Sequence, residues 1–446
     1  MAYSVRNENV RDRLNKQLLS AFIRNGISAI AQSMKLKVIG ICGIILFALY
    51  YLIRFRIIGF SGALGEMLYD LNFAAFIAVF VASVFAFILS QGIPKGYLKF
   101  HDNFIRINCC NELGEPPVLS NVKKAGGKSY DYEWTFYCPG IPLSKWNDRQ
   151  EAIESALNVY LLDIMQGKDH QHVICKVLDG DHELKDMLPW QNKYLSEKDF
   201  ELVLGEGISG KITVNLDTVP HILVGGATGS GKTVLMRSLL AQSIAKGAYV
   251  FIADFKKVDF KQIWHRHCQV ITDEDFWLMT LLQIVDEMQT RQEMFQQYDC
   301  SNLNEFNEKL NLNLDRYVIG CDEIAELLDT TGASKERKEK IAQIESALST
   351  IARQGRAFGI SLILGTQRPS ADIIPGQIKN NITYKVCGRA DNVLSVIILD
   401  NGDAADKIPK DAMGRFLDSN GDMFQAYFFK DNQLQSLLEE TVHVRK

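Results

Sequence analysis

Two long uncharged runs dominate the first hundred residues. Val38 to Ile53 carries no charge over 16 residues, and Leu71 to Ser90 carries none over 20. As a helix the second run spans roughly 30 Å, the hydrocarbon thickness of a bilayer. The first reaches that length once Phe55, Ile57 and Ile58 are added, with Arg54 and Arg56 where basic side chains snorkel to headgroups. The pattern predicts a transmembrane hairpin over 37–92, with spans near 38–57 and 71–90, behind a short N-terminal segment, 1–36. Mostly polar residues precede the first run, so a secretory signal is not expected. Seven Lys/Arg lie in 1–37 and three follow the hairpin (Lys95, Lys99, Arg106), against two between the runs. The positive-inside rule then places both termini in the cytoplasm of a two-span cell-membrane protein. The amphipathic stretch "VRDRLNKQLLSAFI", residues 10–23, suits a membrane surface or a partner helix equally.

Beyond Tyr97 the patterning changes. "FIRINCC" (104–110), "DYEWTFYCPGI" (131–141) and "HVICKVL" (172–178) read as strands. "NDRQEAIESALNVYLLDIM" (147–165) reads as a helix with Ile153, Ala156, Leu157 and Tyr160 on its apolar face. "NELGEPP" and "KKAGGKSY" supply turns. This predicts a small mixed α/β domain over 97–180. A polar connector around 181–198 leads into a second body, 190–430, where strand-like runs alternate with helical ones. That alternation predicts a parallel sheet with helices on both faces. Residues 431–446 form a C-terminal tail.

Composition adds a few constraints. The 446 residues are 47% hydrophobic and 23% charged, with a net charge of -4 and a pI near 6.1. A global pull toward nucleic acid is excluded, so any such contact rests on a local patch. Nine scattered cysteines without a C-x-x-C pair fit a reducing compartment better than a disulfide framework. "HRHC", residues 265–268, has none of the common zinc spacings. "KERKEK", residues 335–340, alternates acids with bases and reads as a solvated helix face.

The chemistry concentrates in "HILVGGATGSGKTVL". Gly226, Ala227, Thr228, Gly229, Ser230, Gly231, Lys232 and Thr233 fit G-x-x-x-x-G-K-[ST] in full, between a strand and an apolar-periodic helix. Glycines there let backbone N–H groups converge on phosphate oxygens, and the helix adds its positive end. Lys232 is expected at the β- and γ-phosphates of ATP and Thr233 on Mg2+. "YVIGCDEIAELL" ends its strand in Asp322, placed for the metal shell, and Glu323, placed to deprotonate water. "GISLILGTQRPS" puts Gln367 at a third strand end, where it can sense a γ-phosphate. Asp254 and Lys256, after "AYVFIADF", are read as support for the fold.

"PHILVGGATGSGKTVL", "GCDEIAELL" and "RQGRAFGISLILGTQRPSADIIPGQIKNNI" occur in that order, with "FELVLGEGISGKITVNLD" and "IVDEMQTRQEMFQQYDCSNLNEFNEKL" between or before them. Together they resemble the motor domain of the FtsK/SpoIIIE family of hexameric DNA-pumping ATPases, over about 190–430. The resemblance implies a RecA-like fold, Mg2+ on Asp322, water activation by Glu323, and Gln367 coupling nucleotide state to motion. It also implies a ring with a trans-acting cation at each neighbour's γ-phosphate. Lys385 stands near the family's arginine position, and Arg389, Arg356 and Arg353 are further candidates. Arg368 and Lys379 flank the "PSADIIPGQ" loop, which in this family faces the channel, and are candidate DNA contacts. Two membrane helices, no long linker and no winged-helix reader are most like the coupling ATPases of conjugative plasmids and integrative elements. The implied partners are DNA, further copies of the chain, the membrane, and a relaxase or DNA-processing complex with secretion-channel proteins. Two other readings stand beside it: a motor of the same family exporting proteins, and a nucleotide-binding membrane docking protein with little hydrolysis.

Overall fold

The computed structural model describes residues 19–20, 22–57, 63–94, 97–125, 130–367 and 375–444. Arg368, most of the amphipathic segment 10–23 and residues 126–129 of the second turn lie outside these. The chain divides into two compact units, Met1–His182 and Glu183–Lys446.

The first unit begins with α1 (Phe22–Gln32), α2 (Met34–Ile57), α3 (Ala63–Gly92) and α4 (Tyr97–Arg106). Within α3, Leu71–Gly92 is long and apolar enough to cross a membrane and none of its apolar window is buried. A second candidate is the pair Phe22–Gln32 and Met34–Tyr50, bent by 101°. The bend falls at Ser33, whose hydroxyl accepts from Leu36 N at 3.4 Å and starts the new helix. Phe47 stacks on Phe76 and packs against Phe80, joining α2 to α3. Phe22 is buried with Val118 and Tyr137, and Asn25 donates to the Ser120 carbonyl at 2.6 Å, so α1 is fastened to the following sheet.

That sheet has four antiparallel strands in the order β1-β2-β4-β3: β1 Val118–Lys124, β2 Tyr132–Tyr137, β3 Val159–Gln166 and β4 His172–Asp179. Helices α5 (Leu143–Asp148) and α6 (Gln150–Leu157) complete it. Phe104, Trp134, Phe136 and Trp146 fill its core. Two sequence expectations change here. "FIRINCC" is no strand: through Arg106 it belongs to α4, because Phe100, Phe104 and Ile107 recur at helical spacing against the core. The helix expected over 147–165 stops at Leu157, where Asn158 takes a left-handed φ of 53°. Val159 and Leu161 then alternate into the core as β3.

The second unit is built on one sheet. Its strands are β5 (Leu188–Pro189), β6 (Glu201–Gly207), β7 (Gly210–Asn215), β8 (His221–Gly225), β9 (Tyr249–Ala253), β10 (Gln269–Ile271), β11 (Tyr317–Cys321), β12 (Ile360–Thr366), β13 (Tyr384–Gly388), β14 (Arg415–Asp418) and β15 (Met423–Phe428). The order is β10-β9-β11-β12-β8-β13-β14-β15-β6-β7, with β5 paired to β15. From β10 to β13 every neighbour is parallel, the pairs from β13 through β14, β15 and β6 to β7 are antiparallel, and β5 runs parallel to β15. The sheet is therefore mixed, and not the wholly parallel one expected. Two of the antiparallel pairs have a local reason: "GISG" and "DSNGD" are tight connections, which join antiparallel strands only, while parallel neighbours need crossovers.

The helices of this unit are α7 (Lys232–Ala245), α8 (Glu274–Gln297), α9 (Leu303–Leu310), α10 (Ile324–Leu327), α11 (Lys335–Gln354), α12 (Gly376–Asn381), α13 (Asn392–Leu399), α14 (Asp403–Lys407) and α15 (Gln433–Val444). They cover both faces. Leu223, Ile319, Leu362 and Leu364 join one core with α8, α11 and α13, while Ile222, Val224, Val318 and Ile363 join another with α7 and α15. Such two-sided burial explains why the central strands read as continuous apolar runs. The "KERKEK" tract opens α11 and binds α8 through Arg337–Glu274 at 3.1 Å and Lys340–Asp275 at 2.5 Å. The buried Asp254 carboxylate accepts from the N–H groups of Lys257, Asp259 and Phe260, a purely structural use.

One buried side chain substitutes for missing strand. The ladder between β15 and β6 ends at Ala426, and beyond it Gln242 of α7 meets both main-chain groups of Val203. Its Oε1 accepts from Val203 N at 2.8 Å and its Nε2 donates to Val203 O at 2.9 Å. Gln242→Leu leaves both groups unpaired inside the core. The expected loss is roughly 2–4 kcal/mol of stability, read as a lowered thermal midpoint of the full-length protein.

Candidate functional site

The carboxyl ends of β8, β11 and β12 meet at one place because their registers are aligned. Cys321 lies opposite Leu364, and Thr366 opposite Gly225. The chain leaving β8 turns through Gly226 to Gly231 and enters α7 at Lys232, with Gly231 as the N-cap at φ 95°. A side chain is unfavourable in that conformation, and a Cβ there would also sit 3.1 Å from Gly414. Ser230 is fully buried, and among the described residues its hydroxyl has no hydrogen-bond partner.

Lys232 is 3% exposed and its ammonium lies 2.8 Å from Asp322 Oδ1, while also donating to the Asp322 carbonyl. The same carboxylate oxygen accepts from the Thr233 hydroxyl at 2.9 Å. This approach requires Gly365: a Cβ there would meet Asp322 O at 2.5 Å and Lys232 Nζ at 3.0 Å. One buried carboxylate thus draws together the lysine and the hydroxyl that follow the glycine-rich turn.

Glu323, beside it, points toward the end of β12. Its carboxylate accepts from the Thr366 hydroxyl at 3.0 Å and from Gln367 N at 3.2 and 3.0 Å. Burial pushes its pKa up, against the opposing pull of Lys232 and of these two hydrogen bonds. Gln367 in turn accepts from the Thr228 hydroxyl at 3.0 Å through Oε1, linking the third strand end to the glycine-rich turn. The contribution of Thr366 was not singled out in the sequence; its place between "LILG" and Gln367 was the available signal. A buried carboxylate whose pKa is raised can accept a proton near neutral pH.

The four cation candidates separate widely. Lys385 and Lys379 both bind Asp400, at 2.6 and 2.7 Å, and together hold that carboxyl below the usual range, Lys379 foremost. Arg353 and Arg356 lie at the opposite, amino edge of the sheet, lining a cavity of about 690 Å³ with Arg316 and Asp217. Arg389 rests against its own glycine-rich turn, donating to Thr228 O at 2.8 Å. His267 Nε2 lies 3.2 Å from Gln435 Oε1, and among the described residues no group of three or more His, Cys, Asp or Glu is placed to hold a metal ion.

These features define a P-loop α/β fold, and comparison with known proteins agrees. The sequence model of the FtsK/SpoIIIE family matches residues 183–371. DNA translocase FtsK of Staphylococcus aureus is 33% identical over 282 residues, 58% of this chain and 34% of that protein. The Lactococcus lactis FtsK is 31% identical over 259 residues, 53% and 33% respectively. The solved monomer form of the pCW3 conjugation coupling protein TcpA, with ATPγS, is 34% identical, with a TM-score of 0.57. That match covers 79% of this chain and all of the TcpA chain. The chain belongs to the FtsK/SpoIIIE family. It spans about a third of the length of the curated relatives it matches.

The raised pKa of Glu323 has a stability consequence. The folded state binds this proton more tightly than the unfolded chain, so stability is lost as pH rises from the unfolded value through the folded one. Glu323→Gln removes that penalty. Its thermal midpoint is expected to exceed wild type near pH 8, by about 2–4 °C for each kcal/mol relieved, with the difference closing toward pH 4.

Proposed function

We propose that this protein is a membrane-anchored, ring-forming ATPase that couples Mg-ATP hydrolysis to DNA translocation toward a transfer channel, as a conjugative coupling protein. The observation carrying this reading is the convergence of Lys232, Thr233, Asp322 and Glu323 at one carboxyl edge. The likeness to TcpA, over all of that chain, favours DNA cargo and conjugation over protein export. Hexameric assembly, the two-span hairpin with cytoplasmic termini, and relaxase and channel partners belong to the same proposal.

The donor set fits a magnesium nucleotide. The Thr233 hydroxyl and the Asp322 carboxylate, 2.9 Å apart, would hold the metal, and the Ser230 hydroxyl, without a partner among the described residues, would join the phosphate cradle. When bound, Mg2+ supplies charge neutralisation for the transferring phosphoryl. Lys232 would then exchange its contact with Asp322 for phosphate oxygens. Glu323 takes the proton of the attacking water at its carboxylate, which Thr366 and Gln367 hold in orientation. Gln367, bonded to Thr228 on one side and Glu323 on the other, couples nucleotide state to motion. The DNA-contact assignments to Arg368 and Lys379 also remain part of the proposal; Lys379 would have to release Asp400 to act.

Three measurements test this. Lys232→Ala abolishes turnover, and Glu323→Gln retains bound ATP while turnover falls roughly 100- to 10,000-fold, the usual worth of a general base. Wild-type ATPase rates rise with added DNA; a flat response overturns the cargo assignment, and wild-type turnover by Glu323→Gln overturns the base. Thr366→Val removes a bond that lowers the Glu323 pKa, so the acid limb of the rate profile moves to higher pH. Thr366→Ser keeps the hydroxyl and restores the limb.

A further inference from the structure

We propose that Arg389 is a phosphate-binding residue of its own protomer's glycine-rich loop, acting in cis. This rests on the nucleotide site proposed above and assigns Arg389 a different place from a trans-acting cation.

The backbone brings Arg389 there. β13 runs parallel to β8, with Val386 opposite Val224 and Cys387 opposite Gly225, so the chain past Gly388 follows the start of the loop. The Ala227 N–H donates to the Arg389 carbonyl at 2.8 Å, fixing the two segments together. The side chain then folds onto the loop. Nη2 donates to Thr228 O at 2.8 Å and Nη1 to Lys410 O at 2.7 Å. Nη2 is also 3.2 Å from where a Cβ on Gly229 would stand, so the guanidinium lies directly on the loop.

Charge pairing and position together separate Arg389 from the other candidate cations. Lys232 is matched by Asp322, and Lys379 and Lys385 share Asp400. Among the described residues Arg389 makes no ion pair, and its two bonds go to neutral carbonyls. It therefore places an unmatched positive charge at the loop. A guanidinium carries five N–H donors, of which these bonds use two, and its planar fork suits phosphate oxygens. To act on a neighbouring protomer it would have to abandon both carbonyls, one of them the loop's own. Arg353 and Arg356, at the amino edge, lack any such tie to the loop.

The test is equilibrium binding of a fluorescent ATP analogue with Mg2+ to the full-length protein in detergent. Concentrations are held where mass photometry sees single protomers only. Arg389→Ala is expected to raise Kd about 10- to 100-fold, the range for losing a charged hydrogen bond to phosphate. Arg389→Gln keeps an amide donor for the two carbonyls but no charge, and it raises Kd similarly; it decides the matter if Arg389→Ala does not fold. Unchanged Kd in single protomers, with turnover lost only in assemblies, overturns the proposal in favour of an interfacial role. Unchanged Kd and turnover overturn it outright. If wild type binds no better than Lys232→Ala, the nucleotide site itself fails, independently of Arg389.

Discussion

The contact on which the second unit's site depends is the buried pairing of Lys232 with Asp322 at 2.8 Å. Two charges withdrawn from water are costly unless each is matched, and removing one partner of such a pair typically costs about 3–5 kcal/mol. Several features of the fold serve that match. Aligned strand registers bring Asp322 beside the first residue of α7, Gly365 has no side chain to separate them, and Thr233 shares the same carboxylate oxygen.

The neighbouring acid has the opposite design. Asp322 is matched by a full charge, whereas Glu323 is held chiefly by a hydroxyl and a backbone N–H. Burial therefore dominates its electrostatics and keeps its proton affinity high. Two adjacent carboxylates with different environments can take different roles, one as a ligand and one as a base. Thr228 and Gln367 connect this pair to the glycine-rich turn, so the three strand ends form one hydrogen-bonded assembly.

Membership of the FtsK/SpoIIIE family gives this arrangement its context, and the match to TcpA extends over more of the chain than the family model does. The first unit has its own organisation. A four-stranded antiparallel sheet with an aromatic core is fastened to α1 through Phe22 and Asn25. In that unit α1 and the sheet are thus joined by packing and by a side-chain bond to the backbone.

The sequence alone determined what depends on neighbours in the chain. The glycine-rich turn, the helix after it, the acids ending "YVIGC" and the two-sided apolar strands were all legible, because local pattern and backbone preference fix them. It misplaced "FIRINCC" and the end of α6, where an apolar run suits either period and the core decides which face is inward. Tertiary structure alone decided strand order, the antiparallel half of the sheet, the use of Gln242 as a strand substitute, and the meeting of Glu323 with Thr366. It also separated cations that look alike in sequence: Lys385 paired with Asp400, Arg353 and Arg356 at the far edge, Arg389 on the loop. The physical reason is distance along the chain. Contacts between residues 43 or 161 positions apart obey register and crossover geometry, which no local window contains.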